Sequence, residues 1–250
     1  MHKFTVIAGS GHCGTKWLAT VLNEQKHMTC YHELRQAMVK MAWPAAAKHP
    51  PASDIYQDYY RKLMRELAVG EVGDANSWAP FELPLLHQRV LIQQVIYLVR
   101  NGIQQLHSLM TQSAVWKKSK LTDYAYNNWL RQFWHISGKP FKPYEEWTRF
   151  ERLCLLVRAN ADAPEWLNAH NLPVKVVRLE DLTTDVERLS ALVKLPEIEL
   201  EEWQALDINR KVEGNRHPNW LWQKWSRSKK EDFTRICGPA MERLGYELPS

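Results

Sequence analysis

Nine residues near the start of the chain, Gly9-Ser10-Gly11-His12-Cys13-Gly14-Thr15-Lys16-Trp17, have types and spacing suited to cradling a phosphate. They stand between Phe4-Thr5-Val6-Ile7-Ala8, which is short, apolar and bounded by glycine, and Trp17, Leu18, Val21 and Leu22, which recur at helical spacing. In a strand–loop–helix unit, the backbone N–H groups of the first helical turn and the positive end of the helix dipole face an anion placed over the loop. His12 and Lys16 add side-chain donors. A loop built for a nucleoside triphosphate needs Gly, then Lys, then Ser or Thr, so that lysine reaches the outer phosphates and the hydroxyl binds magnesium. Here Gly14 is followed by Thr15 and only then by Lys16. The backbone cradle is kept and the metal-binding hydroxyl position is lost, which points to a phosphate-bearing cosubstrate used without a metal.

Other chemistry-bearing residues fall at expected strand ends. Arg100 follows an apolar run, with Ser108 eight positions later inside an expected helix. His32-Glu33 closes a short second strand and offers two candidate bases, an imidazole whose ordinary pKa lies near neutrality and a carboxylate. Asp74-Ala75-Asn76-Ser77 follows a strand opening at Glu71, and its polar groups either orient a second substrate or simply form a turn and helix cap. Between Arg210 and Lys230 there are seven Lys/Arg against Glu213 alone, on a chain whose net charge is only +5. That concentration suits a local anionic ligand better than a nucleic-acid track spread over several elements, and it is also what a solvated charged face looks like.

The elements that must position these residues alternate. Strands are expected at Phe4–Ala8, Met28–Tyr31, from Glu71, Gln93–Val99 and Val174–Leu179. Helices are expected after the first loop, at Ile55–Val69, Phe81–Val90, from Ile103, from Glu180 through Leu192, and at Lys230–Leu244. The fold class that follows is α/β, a central parallel sheet flanked by helices in the manner of nucleotide kinases. In such a sheet ligands gather outside the carboxyl ends of the strands, which brings Arg100 to the edge that carries the opening loop. About residues 112–171 the strand signal gives way to dense aromatics, including Trp116, Trp129, Trp134 and Trp147. These mark a helical insertion broken at Ser137-Gly138-Lys139-Pro140, either ordinary core or an acceptor-facing wall.

Taken together these motifs resemble the sulfotransferases that use 3′-phosphoadenosine 5′-phosphosulfate (PAPS). Cys13-Gly14-Thr15-Lys16-Trp17 is similar to the family's Ser-Gly-Thr-Thr-Trp, Arg100 with Ser108 to its Arg and Ser eight apart, and Arg178-Leu179-Glu180-Asp181-Leu182 to its strand-ending Tyr-Glu-Asp-Leu. Leu244-Gly245-Tyr246 resembles its usual close. The resemblance covers most of the chain. It implies that Gly11, His12, Cys13, Gly14, Thr15 and Lys16 hold the 5′-phosphosulfate, and that Arg100 and Ser108 hold the 3′-phosphate with Arg210, Lys211 and Arg216 closing over it. Trp17 either flanks adenine or belongs to the core. Glu33 is the implied base and His32 its competitor, while Asn76 and Ser77 are expected to orient the acceptor. His12 stands where the family carries Lys or Arg, so Lys16 is expected to supply the missing charge to the leaving phosphate. Leu179 replaces the tyrosine of the third motif.

The expected reaction moves a sulfuryl group to the hydroxyl of a small molecule or glycan and leaves 3′-phosphoadenosine 5′-phosphate (PAP), with no metal and no nucleic-acid partner. At 250 residues and 45% hydrophobic content, one domain over 1–250 is the simplest organisation. An apolar strand beginning at Phe4 leaves no space for a leader, and no run is long enough to span a bilayer, so the expectation is a cytoplasmic protein. Cys13, Cys30, Cys154 and Cys237 have no metal-ligand spacing and are expected as thiols. Two other functions fit the residues alone: a phosphate-loop kinase, disfavoured by the displaced Lys16, and a non-enzymatic anion- or nucleic-acid-binding protein built on the basic segment.

Overall fold

The computed structural model describes residues 3–9, 12–23, 28–32, 71–76, 83–87, 92–111, 146–184, 187–188 and 218–249. The expected helix Ile55–Val69, the break at Ser137–Pro140 and the aromatics from Trp116 to Tyr144 lie outside them. So do the site candidates Gly11, Glu33, Ser77, Arg210, Lys211 and Arg216. By internal packing the chain divides into two units, one of Met1–Val99 with Leu167–Gly214, the other of Arg100–Trp166 with Asn215–Ser250.

The first unit is a parallel sheet. Strands β1 (Lys3–Ala8), β2 (Met28–His32), β3 (Glu71–Asn76), β4 (Ile92–Val99) and β5 (Val174–Arg178) stand in the order β2-β3-β1-β4-β5, and every neighbouring pair is parallel. Parallel pairing requires crossovers, and in this strand order the step from β1 to β2 runs one way along the sheet and all later steps the other way. The reversal falls at β1, so the crevice such sheets use for ligands opens at the carboxyl end of β1. Helix α1 (Thr15–Asn23) packs on β1, β2 and β3. It buries Leu18, Ala19, Val21 and Leu22, the side chains that the 3.6-residue period places on one face, against Ile7, Cys30, Ile96 and Leu98. Central β4 is buried from Val95 to Val99, as a strand covered on both faces must be. In edge strand β5 only Val177 is buried.

Several element ends differ from expectation, and two in the sheet unit do so for a local reason. Asp74, Ala75 and Asn76, expected as a polar turn, are the last residues of β3. Paired through Val6–Ala8 on one side and, for Asp74 and Ala75, through Tyr31–His32 on the other, their backbone groups are satisfied in the ladder, and this outweighs the turn preference of Asp and Asn. Leu179, expected to end β5, begins helix α5 (Leu179–Thr184) instead. The guanidinium of Arg178 forks onto Asp181, with Nε–Oδ2 and Nη2–Oδ1 both 2.9 Å, and the Thr183 hydroxyl donates to the carbonyl of Leu179 at 3.2 Å; both contacts favour a turn at this point. A short helix α2 (Leu83–His87) lies within the range expected for Phe81–Val90.

The second unit is helical. Helix α3 (Gly102–Thr111) is capped by Asn101, whose Oδ1 accepts from the N–H of Ile103 at 3.1 Å and of Gln104 at 3.4 Å. Helix α4 (Arg149–Ala169) runs through Pro164 and closes with Asn171 in the left-handed conformation, the N–H of Leu172 donating to the Leu167 carbonyl and that of Asn171 to Asn168. After the short α6 (Pro218–Gln223), helix α7 (Arg227–Arg243) starts three residues before the expected Lys230, because Ser226 caps it by accepting from the Lys229 N–H. Its end explains Leu244-Gly245-Tyr246 physically. Gly245 has φ 76°, its N–H reaches the Glu242 carbonyl, and the Tyr246 N–H reaches Met241, whose side chain is buried with that of Tyr246.

The core of this unit joins Leu153–Val157 of α4 to Trp222, Trp225 and Phe233, whose rings stack edgewise or tilted at centroid distances of 5.4–6.0 Å. The buried carboxylate of Asp162 is held by Arg158 of its own helix at 2.7 Å and by Arg243 of α7 at 2.5 Å. All four cysteines are buried and none forms a disulfide.

At the start of α4, Thr148 and Glu151 form a reciprocal cap, with the Thr148 N–H and hydroxyl each 2.9 Å from Glu151 Oε2. Burial pushes the Glu151 carboxyl up, but the Thr148 N–H and hydroxyl and the Arg235 guanidinium outweigh it and hold it below its ordinary value. A carboxyl lowered by folding contributes stability above its unfolded-state pKa and loses it as pH falls through the folded value. Glu151→Gln is therefore expected to destabilise the protein by about 1 kcal/mol at neutral pH, with the gap to wild type closing below about pH 4.5. Thermal unfolding across that range measures it; a gap independent of pH would remove the charge from the account.

Candidate functional site

The site is built on the turn between β1 and α1. The chain leaves β1 through Gly9 at φ 154°, where a Cβ would stand 2.8 Å from the Leu98 carbonyl oxygen on β4, so the loop can lie against the central strand only because that residue is glycine. His12 follows at φ 70° and Gly14 at φ 89°, with Cys13 between them outside the positive-φ region. Positive-φ residues on both sides of one that is not curl the backbone, and a curled backbone of this kind can form a concavity that accepts anions. For His12 this conformation costs about 1 kcal/mol or more, a strain of the kind that concentrates at functional loops.

Gly14 ends the turn and caps the helix. Its carbonyl accepts the first helical bond, from Leu18 N–H at 3.0 Å, and a Cβ on it would stand 2.6 Å from Leu179 Cδ1. Leu179, the residue that follows β5, thus fills the space beneath Gly14. Cys13 is fully buried within the cluster of Ile7, Leu18, Leu98, Val177 and Leu182, and Thr15 is buried as well. With the side chains of Cys13 and Thr15 buried, a contact between these residues and a ligand over the loop would come from the main chain. His12 is half-buried and Lys16 exposed, which leaves these two, among the described residues of the loop, as the side chains able to reach a ligand over it. Trp17 is half-buried and packs against the same cluster, as a core tryptophan does.

Strand register locates the other carboxyl ends. Ala8 pairs with Asn76, which sets Asn76 immediately beside the start of the loop. His32 pairs with Ala75, so β2 ends level with β3, but β3 lies between it and β1. At about 4.8 Å per strand, His32 is offset sideways from the loop by about 10 Å. Among the described residues no group of three or more His, Cys, Asp or Glu could hold a metal ion, and no helix is long and apolar enough to cross a membrane.

Mouse sulfotransferase SULT7A1, solved in complex with PAP, superposes with a TM-score of 0.48 at 10% identity, covering 96% of this chain and 84% of that one. No protein-family model matches the sequence. No curated protein matches it either.

Arg100 and Ser108 belong to the second unit. Arg100 is half-buried directly before the cap Asn101, and Ser108 is buried in α3 on the face that carries Gln105, Leu106 and Leu109. Sequence reasoning counted Gly9 in the cradle stretch without giving it a contact of its own, and did not place Leu179 among the residues that shape the loop. Gly9 was legible as the first glycine after an apolar strand. Leu179 was noticed only as a missing tyrosine, since nothing in its spacing says that it packs under Gly14.

Proposed function

We propose that the protein transfers the sulfuryl group of PAPS to a hydroxyl, with the β1–α1 loop holding the 5′-phosphosulfate. The observation that carries this reading is the loop's backbone: left-handed at His12 and Gly14, set at the carboxyl end of the strand where the sheet reverses, and leading into a helix whose second residue is the exposed Lys16. The displaced lysine and the lost magnesium hydroxyl favour a phosphosulfate over a triphosphate. His12 and Lys16 supply positive charge to the phosphate oxygen that leaves.

In the reaction the acceptor oxygen attacks sulfur in line with the breaking S–O bond to the 5′-phosphate. Its proton passes to Glu33 or His32, and PAP departs with the bonding electron pair. The sequence motif assigns Arg100 and Ser108, together with Arg210, Lys211 and Arg216, to the 3′-phosphate, where an arginine fork makes paired bonds. Asn76, beside the loop by register, and Ser77 orient the acceptor, a hydroxyl-bearing small molecule or glycan. The displaced tyrosine position, Leu179, supports Gly14 rather than a base contact.

Calorimetric titration tests the donor. PAP is expected to bind equally well with magnesium or with a chelator, and ATP more weakly in both. Magnesium-dependent ATP binding that exceeds PAP binding would replace this reading with a kinase.

A further inference from the structure

The corner between α6 and α7 carries a charge that its own carboxylates do not balance. Each carboxylate at the start of α7 is taken up by an arginine: Glu231 by Arg227 at 2.8 Å, and Asp232 by Arg235 at 2.7 Å, with Glu151 of α4 also on Arg235 at 2.6 Å. Lys224, Lys229 and Lys230 are left, among the described residues, with rings instead of carboxylates. Their ammonium groups stand over Trp220 at 5.2 Å, Phe150 at 5.6 Å and Trp222 at 5.5 Å. A ring face fixes the lysine stem and holds the cation in place without neutralising it. The first turn of α7 contains no acid and reads Arg227-Ser228-Lys229-Lys230, the reverse of what the positive end of a helix dipole favours. An external anion would relieve the self-repulsion of these cations.

The rings narrow the choice of partner. Sequence-tolerant binding of single-stranded nucleic acid uses successive open aromatic faces for base stacking. Here Trp222 and Trp225 are 5% and 8% exposed and Phe150 is half-buried, while exposed Trp220 has Lys224 over its ring. Among the described residues the surface offers cations held over rings and no stacking platform. That suits a polymer that carries its negative charge at the periphery on sulfate and carboxylate groups.

We propose that Lys224, Lys229 and Lys230 form a docking surface for an acidic polysaccharide, one bearing sulfate or uronic acid groups. The preference for a glycan over other polyanions rests on the sulfuryl-transfer reading, since a glycan presents both the anions to dock and the hydroxyls to modify.

Binding of full-length protein to heparin, measured by calorimetry without any nucleotide, tests the surface. Wild type is expected to bind with affinity that falls steeply with salt. The triple variant Lys224→Gln, Lys229→Gln, Lys230→Gln, which keeps side-chain length, should lose on the order of tenfold and show a shallower salt dependence. Its thermal unfolding and its PAP affinity should match wild type, which separates lost docking from lost folding. Heparin binding unchanged in the triple variant overturns the proposal. So does tighter binding of a single-stranded oligonucleotide or of polyglutamate than of heparin, which would make the surface a nucleic-acid or acidic-protein site. Failure of PAP to bind while heparin still depends on the three lysines would sink the donor assignment and leave the docking surface standing.

Discussion

Replacing Gly9 by alanine is expected to destabilise the sheet unit by about 2–4 kcal/mol and to weaken PAP binding at least tenfold. Two costs act together. At φ 154° an L residue is strained, and its Cβ would stand 2.8 Å from the Leu98 carbonyl oxygen, an atom of the buried central strand that has no room to retreat. Gly14→Ala meets a different obstacle, since the blocking atom is the end of a flexible side chain, Leu179 Cδ1 at 2.6 Å. Adding Leu179→Ala to Gly14→Ala should therefore recover part of the loss, whereas no single side-chain deletion should rescue Gly9→Ala. Chemical denaturation and PAP titration of the three variants measure this. Wild-type stability and affinity in Gly9→Ala would show that the loop does not need its present path.

The contrast between the two glycines also shows where sequence reading reaches its limit. The apolar run ending at Ala8, the glycines after it and the helical spacing of Leu18, Val21 and Leu22 are local signals, and they located the loop and the parallel sheet class correctly. What a glycine at position 9 or 14 must avoid is set by Leu98 and Leu179, tens of residues away in the chain, and no local pattern encodes that proximity. Asn76 is the same case. Asp-Ala-Asn prefers turns by propensity, and only two flanking strands, paired in a particular register, make it the end of β3 and set it beside Ala8. Helix ends were easier where a cap is encoded in a few residues, as with Gly245, and harder where an ion pair shifts the boundary, as with Arg178 and Asp181.

Burial divides the loop's roles in a way that residue type alone did not. Thr15 and Cys13 were equal candidates with Lys16 for contact with the donor, yet both are buried and Lys16 is exposed. If main-chain N–H groups do most of the holding, affinity for the 5′-phosphate depends on loop conformation more than on any one side chain. The positive charge needed for catalysis then falls on His12 and Lys16. On the proposed sulfuryl transfer, exposed Lys16 on the first helical turn has more room than half-buried His12 to follow charge onto the leaving oxygen.

Glu33→Gln separates binding from chemistry. His32 ends β2, which β3 separates from the strand that feeds the loop, and Glu33 is the next residue in the sequence. On the proposed sulfuryl transfer, Glu33 acts as base on the acceptor hydroxyl and not on the donor. The substitution removes a proton acceptor while keeping size and polarity. The transfer rate should thus fall by about 10²–10⁴-fold while PAP affinity stays within about twofold of wild type, since a group that acts on the acceptor adds nothing to a donor-only complex. If rate survives in Glu33→Gln and falls in His32→Gln with an altered pH profile, the base is the imidazole. If PAP affinity falls along with rate, Glu33 lies against the donor, and the acceptor side must be sought elsewhere.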